Sequence, residues 1–260
     1  MPAPVVRQST AASANPAYAD TLLASARPVQ RTMVTRAPTA SELDNMAGIT
    51  LLKLNRLANS KIKPETLAGY ASALEAQRKK GELNTPLRVA HFLSQLSHEC
   101  MRFARMVEIF SYKPKNALAT FPSTIKSEEQ ATKLLDEDTT GEAFANHVYA
   151  TANGNKLAGD GYRFRGRGFI QLTGRGNYEK YSKLIAVKDV DLVLDPDRAA
   201  EADIAARIAV AFWTSNKINV IADRDDVSGV TRVINGKALK GLDDRRQLLG
   251  LAKNAFFTSP

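Results

Sequence analysis

The chain has 260 residues, of which 44% are hydrophobic, and its formal net charge at pH 7 is +9. This length suits one large domain, or one domain with an appendage, and the apolar fraction suffices for a sizeable core. The charge is compatible with a polyanionic partner, a class that includes nucleic acid, anionic lipid and the bacterial cell wall. The single cysteine, Cys100, excludes an intramolecular disulfide, and no apolar run approaches the roughly 18 residues of a membrane-spanning helix.

Residues 1–40 form a tract rich in Ala, Pro, Ser and Thr, with prolines at positions 2, 4, 16, 28 and 38. Scattered prolines and few large apolar side chains are typical of a segment that cannot form a packed core. We predict a disordered or weakly structured tail over residues 1–40. Because the first residues lack the continuous apolar segment of a secretory signal peptide, we expect synthesis in the cytoplasm without one.

The pattern after residue 40 is helical, because apolar residues recur at spacings of three and four behind residues that favour helix starts. In the first half of the chain we predict three helices: one from Ser41 with an apolar stripe from Met46 to Leu57, one from Pro64 to a stop at Gly81, and one from Thr85–Pro86 to an end near Glu99. In the second half we predict helices that begin at Asp195–Pro196, around Ile204, at Val227 with a stop at Gly236, and at Leu242. Strand signals are weak and confined to residues 162–173. The predicted fold is therefore mainly α, with at most a small β element.

Residues 159–178 differ from the rest of the chain, because six glycines, four arginines and four aromatic residues fall within twenty positions. Glycine allows close approach of the backbone, and arginine and tyrosine supply planar donors and flat apolar faces. We predict that this segment lines a groove and does not belong to the core.

Two glutamates, Glu99 and Glu108, lie nine residues apart near the end of a predicted helix. On one continuous helix they would point to opposite faces, about 13 Å apart along the axis. They can share a cleft only if the chain turns between them, and Lys113–Pro114 makes a surface loop credible there. Two carboxylates across a cleft suit an inverting glycosidase. Spacing alone leaves open that both are solvated charges flanking a core helix.

Several motifs occur in order over roughly residues 45–255. They are Ser97-His98-Glu99, Glu108 with Ser111-Tyr112, Gly159-Asp160-Gly161, Arg165-Gly166-Arg167-Gly168-Phe169-Ile170-Gln171-Leu172-Thr173-Gly174, Asn177-Tyr178, Val233-Ile234-Asn235-Gly236 and Gly241-Leu242-Asp243-Asp244-Arg245. Together they resemble glycoside hydrolase family 19, in its bacterial and phage branch of chitinases and endolysins. The resemblance implies a catalytic domain over residues 41–260 with a two-lobed, lysozyme-like α-helical fold. It also implies a substrate cleft between the lobes, no metal and no cofactor.

The resemblance also implies roles for individual residues. Glu99 takes the place of the general acid, Glu108 that of the general base, and Thr173 that of the hydroxyl that helps to hold the attacking water. Positions that contact sugar or orient a carboxylate are implied for His98, Tyr112, Gln171, Asn177, Tyr178, Asn235 and Arg245. We expect an arginine near Glu108 to keep it ionised, and the apolar Phe92 and Phe103 to keep Glu99 protonated. After Gly236 the sequence departs from the family, so that loop is predicted to be reshaped.

These residues also admit other interpretations. His98 and Glu99 lack the second histidine of a zinc protease motif, so we predict an orienting role for His98. Cys100 has no pattern of a nucleophile, and Trp213 is predicted in the core. The arginines of residues 159–178 could bind nucleic acid through phosphates and stacking, and the domain could be a catalytically inactive wall-binding module. We expect neither, because nothing in the chain resembles a known nucleic-acid module, and the presence of both glutamates and Thr173 argues against an inactive module.

The predicted substrate is the glycan strand of peptidoglycan, cut at β-1,4 links between N-acetylated amino sugars, with chitin as the alternative. The phage-like branch, the basic charge and the lack of an obvious chitin-binding domain favour peptidoglycan. We expect a monomer that acts on the wall in the periplasm of the host or of a target bacterium. Its passage would need a lysis or secretion partner, and in the second case an immunity protein. The sequence does not separate these routes.

Overall fold

The computed structural model describes residues 37–137 and 139–257, so residues 1–36 of the predicted tail lie outside the described part. The α-helices are α1 (Ala40–Met46), α2 (Leu51–Asn55), α3 (Pro64–Arg78), α4 (Pro86–Glu99), α5 (Pro114–Thr120), α6 (Glu128–Asp136), α7 (Glu142–Val148), α8 (Asp160–Arg163), α9 (Arg175–Ile185), α10 (Ala202–Ser215), α11 (Ile218–Ala222), α12 (Val227–Asn235) and α13 (Leu242–Phe257). Short 3₁₀ helices are Lys79–Gly81, Ala152–Gly154 and Pro196–Ala200. The predicted mainly α fold is confirmed.

Helix starts follow local capping chemistry. The side chain of Thr85 accepts the amide of Arg88 at the start of α4, and Pro64 occupies the first turn of α3, where its missing N–H costs nothing. The predicted start at Ser41 is wrong by two residues, because Thr39 is the N-cap and forms a capping box with Glu42.

The predicted helix from Ser41 through Leu57 is also wrong, because the chain breaks into α1 and α2. Thr50 caps the second piece by accepting the amide of Lys53. The ammonium of Lys53 donates to the carbonyls of Met46 and Gly48 at 2.7 and 2.9 Å, which satisfies the end of α1. Polar groups close to the break therefore replace the hydrogen bonds that a continuous helix would have formed.

Of the remaining predicted helices, most are confirmed and one is shorter than predicted. The elements predicted at Pro64, Thr85–Pro86, Ile204, Val227 and Leu242 are confirmed as α3, α4, α10, α12 and α13. Asp195–Pro196 begins only a 3₁₀ helix, Pro196–Ala200. Helices α5 to α9 and α11 were not predicted; most are short, and residues 159–178 contain α8 and the start of α9.

The buried residues form separate hydrophobic clusters. The large core joins α2, α3, α4, α10, α12 and α13 and contains Trp213, whose ring packs edge-on against Phe92 at 5.2 Å, as predicted for a core residue. The small core joins α5, α6 and α7 around Phe121 and Phe144. A third cluster packs Phe164 and Tyr178 against α10. The functional cavity described below lies where residues of all three meet.

Residues 159–178 contribute to the interior more than predicted. Phe164 and Phe169 are fully buried, and so is the side chain of Arg167. In the described ranges, β structure is limited to isolated antiparallel bridges, which join Arg167 to Val107 and to Leu172. Among the described helices, none has the length and apolarity required to cross a membrane.

Candidate active site

A tight turn separates the two glutamates. Helix α4 ends at Glu99, and the next residues Met101, Arg102 and Phe103 all have left-handed backbone angles, with φ of 53°, 56° and 65°. Non-glycine residues rarely adopt this conformation, and three in succession cannot continue the right-handed helix α4. The amide of Arg105 closes the turn by donating to the carbonyl of Cys100 at 3.0 Å. The turn therefore lies immediately after Glu99, whereas Lys113–Pro114, where we expected it, begins α5.

The chain after the turn is extended and pairs with the glycine-rich segment. The amide of Glu108 donates to the carbonyl of Gly166 at 2.8 Å, and the amide of Gly168 donates to the carbonyl of Met106 at 2.8 Å. This short antiparallel pairing fixes Glu108 against residues 166–168. The glycine-rich motif thus positions a carboxylate that lies about sixty positions earlier in the chain.

Both glutamates line one cavity of about 380 Å³. The predicted site residues that share this cavity are Glu99, Glu108, Gln171, Thr173, Asn177 and Asn235. The lining also includes residues of the small core, such as Tyr149, and residues that pack against the large core, such as Ile234 and Phe212. Two carboxylates, a hydroxyl and three amides therefore converge on a space bounded by apolar side chains.

Glu108 is held by two donors. The hydroxyl of Tyr149 donates to its Oε1 at 2.8 Å, and the amide of Gly166 donates to its Oε2 at 3.0 Å. Burial raises the pKa of Glu108 above its ordinary value, while these two hydrogen bonds and the charges of Arg165 and Arg105 act in the opposite direction. The expected arginines are therefore present, but burial outweighs them.

Glu99 has a different environment from the one expected. Its Oε1 contacts the guanidinium of Arg245, which is fully buried and also donates to Oε1 of Gln95. The expectation that apolar side chains surround the Glu99 carboxyl is therefore wrong, because a buried cation lies against it. Arg245 fits the carboxylate-orienting role. Within the described ranges, Oε2 of Glu99 accepts no hydrogen bond and stays free to meet a ligand.

Thr173 lines the same cavity as the two carboxylates and is buried. Its hydroxyl donates to the carbonyl of Gln171 at 2.9 Å, and its own carbonyl accepts a hydrogen bond from the side-chain Nδ2 of Asn177 at 2.8 Å. Gln171 has a left-handed backbone with φ of 50°, and its Nε2 donates to the carbonyl of Gly168 at 3.1 Å. The loop is thus fixed by its own polar groups, and the Thr173 oxygen keeps lone pairs that can accept from water.

Tyr178 does not reach the cavity, and the prediction of a sugar contact there is wrong. Its side chain is fully buried, and the ring packs edge-on against Phe164 at 5.2 Å. Its hydroxyl donates to the carbonyl of Arg165 at 2.7 Å and accepts from Arg167 at 2.9 Å. These contacts hold the loop of residues 164–178 together, so the role of Tyr178 is to support the loop and not to contact the sugar.

His98 and Tyr112 also lie outside the cavity lining, so the structure does not support direct sugar contact for either. Nδ1 of His98 pairs with Asp244 at 2.6 Å, which links α4 to α13 and fits the orienting role. Tyr112 packs on Phe144 with ring centroids 5.5 Å apart, in the small core. Position in a motif indicated proximity to the site without specifying which side chains face it.

Tyr149 is the main site residue that the sequence analysis missed. It follows α7 in a segment without a recognisable motif, and only the packing of the small core brings its hydroxyl to Glu108. A second unpredicted feature is the buried pair of Asp160 and Arg175, with Nε to Oδ2 at 2.8 Å, which fixes the loop beside Asn155. Both residues of the pair lay within the glycine-rich segment, but their pairing required the fold.

The structure also bears on other chemistries. Cys100 is fully buried, and burial raises the pKa of its thiol to about 12, so it is protonated at neutral pH and unsuited to nucleophilic attack. Across residues 37–137 and 139–257, no group of His, Cys, Asp and Glu side chains is arranged to hold a metal ion.

Two similar proteins are informative about this chain. A "Glycosyl hydrolase family 19 domain-containing protein" from Haemophilus influenzae is 32% identical over 205 residues, which is 76% of this chain and 94% of that protein. An "Acidic endochitinase" from Petunia hybrida is 39% identical over 77 residues, which is 29% of this chain and 28% of the plant protein. No protein-family model matches the chain.

Proposed function

The chain belongs to glycoside hydrolase family 19 and is a glycosidase, and from this premise we propose that its substrate is bacterial peptidoglycan. The bond cut is a β-1,4 link between N-acetylated amino sugars. The net charge of +9 supports this choice, because peptidoglycan carries free carboxylates on its peptide substituents and chitin is uncharged. The observation that carries the enzymatic assignment is the convergence of Glu99, Glu108 and Thr173 on one cavity.

The proposed reaction is a single displacement. Glu99 gives a proton from Oε2 to the oxygen of the leaving sugar, while Arg245 continues to hold Oε1. Glu108 accepts a proton from a water molecule that attacks the anomeric carbon from the opposite face, and Thr173 helps to hold that water. Since no covalent sugar–enzyme intermediate forms, the anomeric configuration is inverted and the first product is the α anomer.

A specific observation favours the opposite assignment of the two glutamates. Burial raises the pKa of Glu108, which suits an acid, and Arg245 contacts Glu99, which suits a carboxylate. Against this, the amide of Gly166 and the hydroxyl of Tyr149 both donate to Glu108, an arrangement that fits the ionised form. A substrate with an activated leaving group distinguishes the two assignments, because its hydrolysis needs the general base but not the general acid.

The test of substrate uses purified sacculi and chitin oligomers side by side, with products identified by mass spectrometry. We expect soluble muropeptide-bearing fragments from the sacculi. Chitin is the second candidate, favoured by the stretch shared with the plant endochitinase. Release of chitin fragments with intact sacculi would overturn the peptidoglycan proposal. Early-time NMR of the products tests the mechanism, because a β anomer as first product excludes the single displacement.

A further inference from the structure

Asn155 is a buried residue whose side chain bonds to two separate elements of the candidate site. Its Nδ2 donates to the carbonyl of Tyr149 at 2.7 Å, and its Oδ1 accepts the backbone amide of Arg175, also at 2.7 Å. The Tyr149 carbonyl lies at the end of α7, where it also accepts the amide of Ala152 at 3.2 Å, and the Arg175 amide is the first of α9. Neither group can be satisfied within its own helix. A carboxamide suits both, because it offers a donor and an acceptor at once.

The two elements that Asn155 joins carry groups of the proposed mechanism. The hydroxyl of Tyr149 donates to Oε1 of Glu108 at 2.8 Å. Thr173, which lines the cavity, precedes Arg175 by two residues. One buried amide therefore connects the residue that donates to Glu108 with the loop that presents the Thr173 hydroxyl.

The segment around Asn155 is itself fixed. Asp160 accepts the amides of the two residues that follow Asn155, at 3.0 Å each, and pairs with the guanidinium of Arg175. On the other side, the backbone of Gly174 lies so close to Asn153 that an added Cβ would collide with it. Because the two segments are in direct contact, a change at Asn155 is transmitted to both of them.

We propose that Asn155 is a positioning residue that holds Tyr149 and the loop of Thr173 in place against Glu108. Asn155 lies outside the described lining of the cavity, so it acts through these residues and not by touching substrate. This inference rests on the proposed function, in which Glu108 is the base. Groups that interact electrostatically with Glu108 come from several segments, and they are Arg105, Arg165, Tyr112 and Tyr149.

The pH dependence of kcat/KM tests this role. In Asn155→Ala the Tyr149 hydroxyl is no longer held against Glu108, so the pKa of Glu108 should rise further. The acidic limb should then move up by about 0.5–1 pH unit, the shift expected for the loss of one ordinary hydrogen bond. In Tyr149→Phe the limb is already shifted, and adding Asn155→Ala should move it no further. If Asn155→Ala does not fold, Asn155→Ser gives the same measurement, because its hydroxyl is too short to reach both partners.

Initial rates are measured on purified sacculi and on the N-acetylglucosamine hexamer. The shift is a property of the enzyme, so it should appear on whichever substrate is cleaved. The matched control is Asn219→Ala. Asn219 also joins two elements, since it accepts from Nε1 of Trp213 at 2.7 Å and donates to the carbonyl of Gly81 at 2.9 Å, outside the described cavity lining. Its loss should lower the melting temperature, as Asn155→Ala does, and leave the acidic limb in place.

The outcomes distinguish this role from the proposed function. A limb that moves in Tyr149→Phe and stays in place in the Asn155 variant overturns the positioning role and leaves the proposed function intact. An equal further shift in the double variant also overturns it, because Asn155 would then act on Glu108 independently of Tyr149. If the limb stays in place in both single variants, Glu108 is not the titrating base, and the proposed mechanism fails together with the role of Asn155.

Discussion

The hydroxyl of Tyr149 donates a hydrogen bond of 2.8 Å to Oε1 of Glu108. This contact joins the small core to the extended segment that pairs with Gly166, so a packed aromatic residue helps to determine the charge of a carboxylate. Burial alone favours the protonated form of Glu108, and the Tyr149 donor opposes it. The balance between these effects determines the pH range in which Glu108 can act as a base.

Tyr149→Phe should move the acidic limb of the pH profile of kcat/KM to higher pH. The hydrogen bond from Tyr149 lowers the pKa of Glu108, so its removal raises that pKa further, and a general base acts only when ionised. Activity should therefore fall most at acidic pH and recover as pH rises. The matched control is Tyr181→Phe, since Tyr181 also lines the cavity and its hydroxyl makes no hydrogen bond to either glutamate. An unchanged acidic limb in Tyr149→Phe would contradict the role of this contact.

Replacement of each glutamate should have consequences that depend on the leaving group. Positioned acid or base groups typically contribute about 10²–10⁴-fold, so Glu99→Gln and Glu108→Gln should both be severely impaired on the natural substrate. An oligosaccharide with a dinitrophenyl leaving group needs no proton donor. We therefore expect Glu99→Gln to hydrolyse this substrate efficiently and Glu108→Gln to remain impaired. The opposite pattern would assign the acid to Glu108.

Gly166→Ala should impair catalysis more than stability. An added Cβ would lie 2.8 Å from Oε1 of Gln171 and 3.2 Å from Oε2 of Glu108, so both side chains must move. These are ends of flexible side chains, and the loss of stability should stay near the low end of about 1–3 kcal/mol. The control is Gly69→Ala within α3, where no atom lies within 4 Å of the new Cβ; it should retain activity and gain about 0.5–1 kcal/mol. Thermal melts measure the change in stability of each variant, and kcat/KM measures the change in its activity.

Glu108→Gln should stabilise the protein at neutral pH. The folded-state pKa of Glu108 is raised above its ordinary 4.5, so the folded protein binds this proton more tightly than the unfolded chain does. Stability is therefore lost as pH rises from about 4.5 through the raised pKa, and a neutral amide avoids this loss. The gain in melting temperature should be larger at pH 7 than at pH 4. The exposed control Glu137→Gln should show no such difference, and a larger gain at pH 4 would refute the prediction.

Asp160→Ala should lower the free energy of unfolding by about 3 kcal/mol. Asp160 is buried, and it accepts from Arg175 and from the amides of Lys156 and Leu157 at 3.0 Å each, so its removal leaves a cation and two amides without their acceptor. Chemical denaturation measures the change. Asp243→Ala breaks the exposed pair with Arg246 and should cost less than about 0.5 kcal/mol. Comparable losses in the two variants would contradict the role assigned to the buried pair.

The longer helices of the large core were predictable, because helix periodicity and capping are local properties of the sequence, whereas the short helices α5 to α8 and α11 were not predicted. Pro64 and Thr85 mark helix starts through their own backbone and side-chain chemistry, and both predictions are confirmed. The break between α1 and α2 was missed, since it depends on the Lys53 ammonium reaching carbonyls five and seven positions away in the sequence.

The sequence by itself determined the chemistry available to this protein: the helical pattern, one glutamate at the end of α4 and a second nine residues later, and a glycine-rich segment with a threonine. Tertiary structure decided which of these groups meet. The left-handed turn after Glu99 lets Glu108 reach the same cavity, and packing turned Tyr178 inward while bringing Tyr149 to Glu108. It also placed Arg245 on Glu99. Local patterns cannot specify these contacts, because burial and charge pairing depend on residues far apart in the chain.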